Sequence, residues 1–146
     1  MAMFNSILVV CAGNICRSPT AEYILKDKLD GKLIKVASAG LTALVDKRAE
    51  PTALEIARQN GIDLTHHLGQ QLSSKLIAQH SLILVMEERH LTDLHSQYPE
   101  ARGKTFLLGK WIGDKEIPDP YRKSQEAFEH VYQLIEQASV AWTKYL

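Results

Sequence analysis

The sequence lacks a charge excess of either sign, because its 17 lysines and arginines are matched by 17 aspartates and glutamates. A protein that binds nucleic acid by neutralising phosphates normally carries a basic excess, so the composition argues against that class. The sequence also lacks any apolar run near the roughly 18 residues that a membrane-spanning helix needs. The segment from Met1 to Asn5 has no basic region, which argues against a signal peptide and predicts a cytoplasmic protein.

Cysteine is scarce, and the common nucleotide-binding loops are missing. Cys11 and Cys16 are the two cysteines, too few for a disulfide scaffold, and they favour catalytic or redox use. Neither a Walker loop nor a G-x-G-x-x-G pattern occurs, so nucleotide binding has no support. The six histidines, among them His90 and His95, show no metal-ligand spacing. We therefore predict no metal and no cofactor, and we expect packing or solvation for most of the histidines.

What the sequence does contain is an alternation of apolar runs and helical patterns. Strands are predicted at residues 7–10, 33–37, 82–86 and 105–108, and helices at 18–29, 51–60, 73–79, 87–97 and from 124 almost to the end. Strands that are apolar on both faces are typical of a parallel sheet covered on both sides. The pattern predicts an α/β fold: a single doubly wound domain over residues 1–146, with about four parallel strands and helices on both faces.

Particular residues set the predicted boundaries. Ser18 and Pro19 are a preferred N-cap and a preferred first helical residue, so the first helix is expected to begin there. The capping-box pattern Thr52-x-x-Glu55 predicts the start of the second helix. Residues 38–40, Ser-Ala-Gly, are expected to form the loop after the second strand.

The loop after the first strand is predicted to bind an anion. Ligands of doubly wound sheets bind beyond the carboxyl ends of the strands, and residues 11–18 follow the first of them. Successive backbone N–H groups at a helix N-terminus make a concave anion site, to which Arg17 adds a planar fork for two phosphoryl oxygens. Gly13 and Asn14 tolerate the positive φ that such a turn requires.

Two further residues suggest chemistry on the bound phosphate. Cys11 stands at the base of the loop, where the same donors favour a thiolate that can attack phosphorus. The departing oxygen needs a proton, for which Asp119, between two prolines, is the best candidate. The alternatives are a packed Cys11 with an exposed Arg17, and an ordinary proline turn at Asp119. Tyr121 and Trp111 either line a pocket for an aromatic group or pack against the domain.

Residues 11–19, 38–40 and 119–121 together resemble the low-molecular-weight protein tyrosine phosphatases, and the resemblance covers nearly the whole chain. Residues 119–124, Asp-Pro-Tyr-Arg-Lys-Ser, are similar to the bacterial branch, some members of which act opposite tyrosine autokinases that control capsule or exopolysaccharide export. The resemblance implies metal-independent hydrolysis of phosphotyrosine through a phosphocysteine. It implies Cys11 as nucleophile, Arg17 as phosphate clamp, and Asp119 as acid and then base. Expected partners are a tyrosine-phosphorylated protein, such as a bacterial autokinase, and a phosphate or other oxyanion in the active site.

The resemblance also assigns supporting roles. It implies that Asn14, Ser18, Ser38 and His67 hold the loop in shape by hydrogen bonds, and that Ser18 assists the thiolate as a leaving group. The phosphate-binding loop then comprises Cys11, Ala12, Gly13, Asn14, Ile15, Cys16, Arg17 and Ser18. The pocket walls are Ala12, Leu44 and Tyr121. Cys16 either packs as a thiol or captures an oxidised Cys11 in a disulfide that prevents irreversible oxidation.

The sequence departs from the family pattern at three places. Gln70 stands where members commonly carry an arginine, close to His67. Leu44 lies where eukaryotic members tend to have a tryptophan at the entrance. Tyr121 is followed by Arg122 rather than by a second tyrosine. The last two differences bear on which phosphopeptides fit the pocket.

Two other functions share features with this pattern. Arsenate reductases of the same fold relay oxidation through further cysteines, and this chain has none after Cys16. A non-catalytic phosphoprotein-binding module needs Arg17 and the loop but neither Cys11 nor Asp119. For the phosphatase, the need for an ionised Cys11 and a protonated Asp119 predicts a bell-shaped, mildly acidic pH profile.

Overall fold

A computed structural model describes residues 4–146 of the protein; Met1, Ala2 and Met3, part of the segment argued not to be a signal peptide, lie outside the described residues. One sheet of four parallel strands has the order β2-β1-β3-β4. The strands are β1 (Ser6–Cys11), β2 (Lys35–Gly40), β3 (Leu82–Val85) and β4 (Thr105–Leu107). The helices are α1 (Arg17–Lys28), α2 (Pro51–Gln59), α3 (Ser74–Ala78), α4 (Glu88–Gln97) and α5 (Gln125–Thr143). The predicted α/β class with a four-stranded parallel sheet is confirmed.

The central strand β1 is buried on both faces of the sheet. Ile7 and Val9 contact one apolar cluster, to which α1, α2 and α5 contribute. Leu8 and Val10 contact a second cluster, to which α3 and α4 contribute. All four side chains are fully buried. Because successive side chains of a strand point to opposite faces, a strand between two helical layers is apolar throughout, as the sequence of β1 is.

The strand order places the switch point of the sheet beside the first loop. From β1 the chain crosses to β2 on one side, and β3 then pairs with β1 on the other side. Crossovers that diverge in this way leave a crevice beyond the carboxyl ends of β1 and β3. The loop that follows Cys11 lies in this crevice, and so does the turn that follows β3.

Two predicted helix caps are wrong, although both helices begin within one residue of the predicted position. Helix α1 begins at Arg17 without Ser18 as its cap, because the Ser18 hydroxyl bonds to side chains of the loop instead. Helix α2 is capped by the Glu50 carboxylate, which accepts from the N–H groups of Thr52 and Ala53, so the Thr52 capping box does not form.

Residues 38–40 belong to β2 rather than to a loop. Cys11 of β1 pairs with Gly40, so the ladder continues to the end of both strands. A Cβ at Gly40 would lie 2.6 Å from the carbonyl oxygen of Ala12, which explains why this position needs glycine. Ser38 is therefore held by the sheet, directly beside β1.

Two 3₁₀ turns, Pro99–Ala101 and Leu108–Ile112, complete the elements and were not predicted. Within residues 4–146, no helix combines the length and the apolar character that crossing a membrane requires.

Candidate active site

The carbonyl groups of the loop between β1 and α1 all point away from its centre. Leu41, Thr42 and Leu44 donate their backbone N–H groups to the carbonyls of Cys11, Ala12 and Gly13, at 2.9, 3.0 and 3.0 Å. Further along, Glu50 N–H donates to the Ile15 carbonyl at 2.8 Å. The segment 41–50 thus binds the outer side of the loop and fixes its path.

The backbone N–H groups of residues 12–16 differ from these carbonyl groups in their hydrogen bonding. Within residues 4–146, none of them donates a hydrogen bond to another group. Asn14, rather than Gly13, takes the positive φ that the turn requires, at 58°. Helix α1 begins at the end of the loop and adds its own unpaired N–H groups. The result is a concave site lined by N–H donors, which suits a tetrahedral oxyanion.

Cys11 lies at the floor of this concave site and is 3% exposed. Its Sγ is 2.9 Å from the Oγ of Ser18. Ser18 Oγ also accepts a hydrogen bond from Asn14 Nδ2 at 2.8 Å. Because this bond occupies a lone pair and not the hydroxyl hydrogen, Ser18 is free to donate to a thiolate at Cys11.

A buried carboxylate lies at the other end of the same hydrogen-bond chain. Ser38 Oγ donates to Glu22 Oε1 at 2.5 Å and accepts from Asn14 Nδ2 at 2.9 Å. Lys26 balances the Glu22 charge from the helix surface at 2.6 Å. Since Glu22 takes the Ser38 hydrogen, both amide hydrogens of Asn14 serve as donors, one to each serine. This chain of hydrogen bonds therefore orients the Asn14 amide and leaves the hydroxyl hydrogen of Ser18 available to the sulfur of Cys11.

His67 and Gln70 close the network around Asn14. His67 is buried, and its Nε2 lies 2.6 Å from the Asn14 carbonyl oxygen, so this nitrogen carries the hydrogen and donates it. The Gln70 N–H donates to Asn14 Oδ1 at 2.9 Å, and Gln70 Nε2 donates to the Ser38 carbonyl at 2.8 Å. Gln70, which stands where an arginine is common, thus bonds to both Asn14 and Ser38.

Arg17 is a buried cation with its guanidinium fixed from behind. Nη1 donates to Glu87 Oε2 at 2.7 Å and to the Ile117 carbonyl at 2.9 Å, while Nη2 lies 3.7 Å from Asp119 Oδ2. Burial would raise the pKa of Glu87, but hydrogen bonds from Arg17 and Arg89 outweigh that effect and lower the pKa below its usual value. Glu87 is therefore the counterion of Arg17, and it leaves the Nη2 side of the guanidinium directed at the cleft.

Asp119 reaches the cleft from the loop that precedes α5. Its Oδ1 accepts a hydrogen bond from the Tyr121 N–H at 3.0 Å, and its side chain is 43% exposed. The preceding Ile117 N–H donates to the Met86 carbonyl at 2.9 Å, which ties this loop to the end of β3. A carboxyl group held in this way can exchange a proton with solvent and with a leaving group in the cleft.

The predicted pocket residues line one cleft. Ala12, Leu44, Thr42, Asp119 and Tyr121 surround its opening above the loop residues 11–17. Arg122 takes a positive φ of 62°, and its guanidinium lies 5.3 Å from the centre of the Tyr121 ring. An aromatic group of a substrate would enter between these walls.

Trp111 does not line this cleft. Its ring stacks on Tyr145 with the centroids 4.1 Å apart and meets Trp142 edge-on at 5.7 Å. Of the two roles open to Trp111 from the sequence, packing against the domain is the one observed.

Cys16 lies in the same loop, where it lines the cleft and also belongs to the apolar cluster of α1, α2 and α5. It is buried, and burial together with the nearby Cys11 raises the pKa of its thiol far above the usual range. Both cysteines are free thiols. Cys16 is thus a protonated thiol at neutral pH, in contrast to the role expected of Cys11.

Two carboxylates important to this geometry were not identified from the sequence. Glu87 lies two residues after the end of β3, at the same edge of the sheet as Cys11, where a ligand-binding residue could have been sought. Glu22 lies one helical turn after Ser18 on α1, so helical spacing could have predicted that it lies close to the loop. Among residues 4–146, no group of three or more His, Cys, Asp or Glu side chains is arranged to hold a metal ion.

The chain is similar to known proteins over almost its whole length. The family described as "Low molecular weight phosphotyrosine protein phosphatase" matches residues 6–146. The low molecular weight protein-tyrosine-phosphatase Etp of Escherichia coli K12 is 51% identical, over 98% of this chain and 95% of its own.

Solved structures agree with this similarity. Wzb of Vibrio vulnificus in complex with benzylphosphonate has a TM-score of 0.94 and 54% identity, covering 98% of this chain and 99% of its own. The tyrosine phosphatase Wzb of Escherichia coli K30 in complex with sulphate has a TM-score of 0.93 and 53% identity, covering 97% and 98%.

Proposed function

Since this chain belongs to the low molecular weight phosphotyrosine protein phosphatase family, we propose that it hydrolyses phosphotyrosine with Cys11 as nucleophile, Arg17 as phosphate clamp and Asp119 as general acid and base. The observation that carries this proposal is the convergence of three groups on one cleft: the Sγ of Cys11, the Nη2 of Arg17 and the Asp119 carboxyl. The backbone N–H groups of residues 12–16, which donate to no other group within residues 4–146, belong to residues that line the same cleft.

In the first step the Cys11 thiolate attacks the phosphorus atom in line with the phenolic oxygen. The S–P bond forms and the P–O bond to the tyrosine breaks, and Asp119 gives its proton to the departing phenoxide. The loop amides and Arg17 stabilise the charge on the equatorial oxygens, which is the main source of catalysis in phosphoryl transfer. Ser18, by donating to the sulfur, supports the thiolate before attack.

In the second step the phosphocysteine is hydrolysed. The Asp119 carboxylate takes a proton from a water molecule, whose oxygen attacks phosphorus. The S–P bond breaks, inorganic phosphate forms, and the Cys11 thiolate is regenerated with a hydrogen bond from Ser18. No group in this sequence of steps depends on a metal ion or an organic cofactor.

The proposal is tested by the hydrolysis of a phosphotyrosine peptide from pH 4 to 9 with a metal chelator present. We expect turnover by the wild type with a bell-shaped, mildly acidic profile, and no turnover by Cys11→Ser. The variant Cys16→Ser is the matched control, because it makes the same change in the same loop and should retain activity. If the wild type binds the peptide without turnover, the chain is a phosphoprotein-binding module. If it reduces arsenate instead, the arsenate reductase alternative holds.

We propose that the physiological substrate is a tyrosine-phosphorylated bacterial autokinase or another protein of exopolysaccharide export, met in the cytoplasm. The support is the Asp-Pro-Tyr-Arg-Lys-Ser segment at 119–124 and the similarity to proteins named Wzb and Etp. We also propose that residues 1–146 act as one phosphatase domain, supported by the family match over residues 6–146. The substrate proposal is tested by coexpression with a tyrosine autokinase, whose phosphotyrosine should be removed by the wild type and retained with Cys11→Ser.

We propose that Cys16 protects Cys11 during oxidation. A peroxide first converts the Cys11 thiolate to a sulfenic acid, and the Cys16 thiol then attacks that sulfur, releasing water and forming a disulfide. The support is that Cys11 and Cys16 line the same cleft and are close enough for Cys11 to contribute to the raised pKa of the Cys16 thiol. Dithiothreitol should restore activity to the peroxide-treated wild type and fail to restore it to Cys16→Ser; equal recovery of both would contradict the proposal.

A further inference from the structure

One histidine beside the active site has no role in the mechanism above. His90 lies in the first turn of α4 and is 1% exposed. Neither of its ring nitrogens has a hydrogen-bond partner within residues 4–146. A buried imidazole in that condition is unusual, because the loss of hydrogen bonds to water is normally repaid by a partner inside the protein.

His90 lies close to the counterion of Arg17. His90 Nε2 lies 3.4 Å from Oε2 of Glu87, the same oxygen that accepts from Arg17 Nη1 at 2.7 Å. Arg89 Nη2 approaches this oxygen at 3.1 Å from the solvent side. One carboxylate oxygen therefore faces three donors, of which Arg17 and His90 are buried and Arg89 is exposed.

We propose that His90 is a positioning residue, which holds the Glu87 carboxylate from inside the protein by donating its Nε2–H and so fixes the orientation of Arg17 toward the phosphate. A shortening of about 0.5 Å brings the pair into the ordinary hydrogen-bond range. Arg89 is solvated, whereas His90 has no alternative partner among the described residues. A hydrogen bond from His90 therefore holds the Glu87 carboxylate from the buried side, where water does not compete for it. This inference rests on the proposed function, because the orientation of Arg17 matters only if phosphate is bound and transferred.

The charge state of His90 suits a donor. Burial and the nearby Arg17 lower the pKa of His90 to about 4, against the raising influence of Glu87. The imidazole is thus neutral at working pH, and it brings a hydrogen to Glu87 without adding a positive charge beside Arg17. A protonated histidine at this place would compete with Arg17 for the same carboxylate.

The test compares variants that remove or keep the donor, with p-nitrophenyl phosphate as substrate. His90→Phe keeps a flat ring and removes the N–H, and His90→Gln keeps an N–H donor on a side chain of similar reach. His95→Phe on the same helix is the matched control, because the ion pairs of Glu87 within residues 4–146 involve Arg17, Arg89 and His90 but not His95. Should His90→Phe not fold, His90→Met removes the same hydrogen with a flexible side chain.

We expect His90→Phe to lower kcat by about tenfold or more, with KM within about twofold of the wild type. The reason is that the substitution removes the hydrogen bond to the charged Glu87, which orients Arg17 toward the transition state. Inhibition by orthovanadate, which resembles the transition state, should weaken by a similar factor. His90→Gln should recover most of kcat, and His95→Phe should match the wild type.

A double-mutant cycle with Glu87→Gln separates positioning from packing. If His90 acts through Glu87, His90→Phe should have little further effect on kcat in the Glu87→Gln background. Unchanged kcat and vanadate inhibition in His90→Phe, a failure of His90→Gln to restore them, or full additivity in the cycle would each overturn the proposal. An inactive wild type would instead refute the proposed function itself.

Discussion

Arg17 has an unusual position for an arginine, because it is 2% exposed in a protein of this size. A buried cation is tolerated only when its charge and its N–H groups are satisfied, and here Glu87 and the Ile117 carbonyl do so at 2.7 and 2.9 Å. Removal of one partner from such a pair costs about 3–5 kcal/mol. The stability of the fold and the orientation of Arg17, on which its proposed role as phosphate clamp depends, therefore rest on the same contacts.

The lowered pKa of His90 predicts that the stability of the protein decreases as pH falls. The charged groups around His90 are Arg17 from α1, and Glu87, Arg89 and Asp93 from α4 and its N-cap. Burial is the main reason that the pKa of His90 is lowered to about 4. Between pH 7 and pH 5 the unfolded chain binds a proton at this histidine while the folded chain does not, so the free energy of unfolding decreases as pH falls. The loss from this group is about 2 kcal/mol over that interval.

The measurement is urea unfolding of the wild type and of His90→Gln at both pH values. His90→Gln cannot take up this proton, so its stability should decrease by about 2 kcal/mol less than that of the wild type. Other groups titrate equally in both proteins and cancel in the comparison. Parallel losses in the two proteins would show that the imidazole is solvated enough to protonate in the folded state.

At the scale of elements, the loop between β1 and α1 is held in shape by hydrogen bonds from the residues around it. Asn14 combines a positive φ of 58° with side-chain bonds to Ser18, Ser38 and Gln70. Within residues 4–146, no other side chain of the loop makes as many hydrogen bonds. The shape of the anion site therefore depends on one residue that does not itself touch the sulfur.

Two substitutions of Asn14 should separate its backbone from its side chain. Asn14→Ala loses the buried hydrogen bonds and keeps an unfavourable φ, so we expect stability to decrease by about 2–4 kcal/mol and kcat by about a hundredfold. Asn14→Gly relieves the backbone and lacks the same bonds, so it should be the more stable variant with a similarly low kcat. Thermal unfolding and turnover of an aryl phosphate provide the two measurements. Wild-type kcat in Asn14→Gly would mean that the side-chain network has no catalytic role.

The elements also show how far the sequence predicted the site. Cys11 and Arg17 lie close together in the sequence, between an apolar strand and the start of a helix. Such a short pattern could be recognised from the sequence alone. Glu87 bonds to Arg17 across 70 positions of the chain. A contact of that kind depends on the order of the strands, which periodicity does not reveal. The same reasoning explains the error at residues 38–40, where pairing with β1 and not local turn preference extends the strand.

At the scale of the molecule, one sheet is shared by two apolar clusters. Leu84 of β3 belongs to the cluster that includes α1 and α5, and Leu94 of α4 belongs to the cluster on the opposite face. The α/β class was predictable because alternation of fully apolar strands with amphipathic helices has few other solutions. Since both clusters include alternate residues of the same strands, we expect them to unfold together.

Leu84→Ala and Leu94→Ala test this cooperativity. Both leucines are fully buried, and each substitution should lower the free energy of unfolding by about 2–5 kcal/mol. Because the two side chains lie on opposite faces, their effects should add in the double variant, within a single transition seen by both fluorescence and circular dichroism. Two separate transitions would contradict the view that residues 4–146 share one cooperative core.

The most direct test of the whole account is to trap the phosphoenzyme. Asp119→Ala lacks the base that activates water, and p-nitrophenyl phosphate has a leaving group that departs without a proton donor, so the intermediate should accumulate. Rapid quenching followed by peptide mass spectrometry should locate one phosphoryl group on the sulfur of Cys11, and none in the Cys11→Ser, Asp119→Ala double variant. A phosphoryl group on another residue, such as His67, or turnover without any phosphoenzyme, would contradict the central claim that Cys11 is the nucleophile.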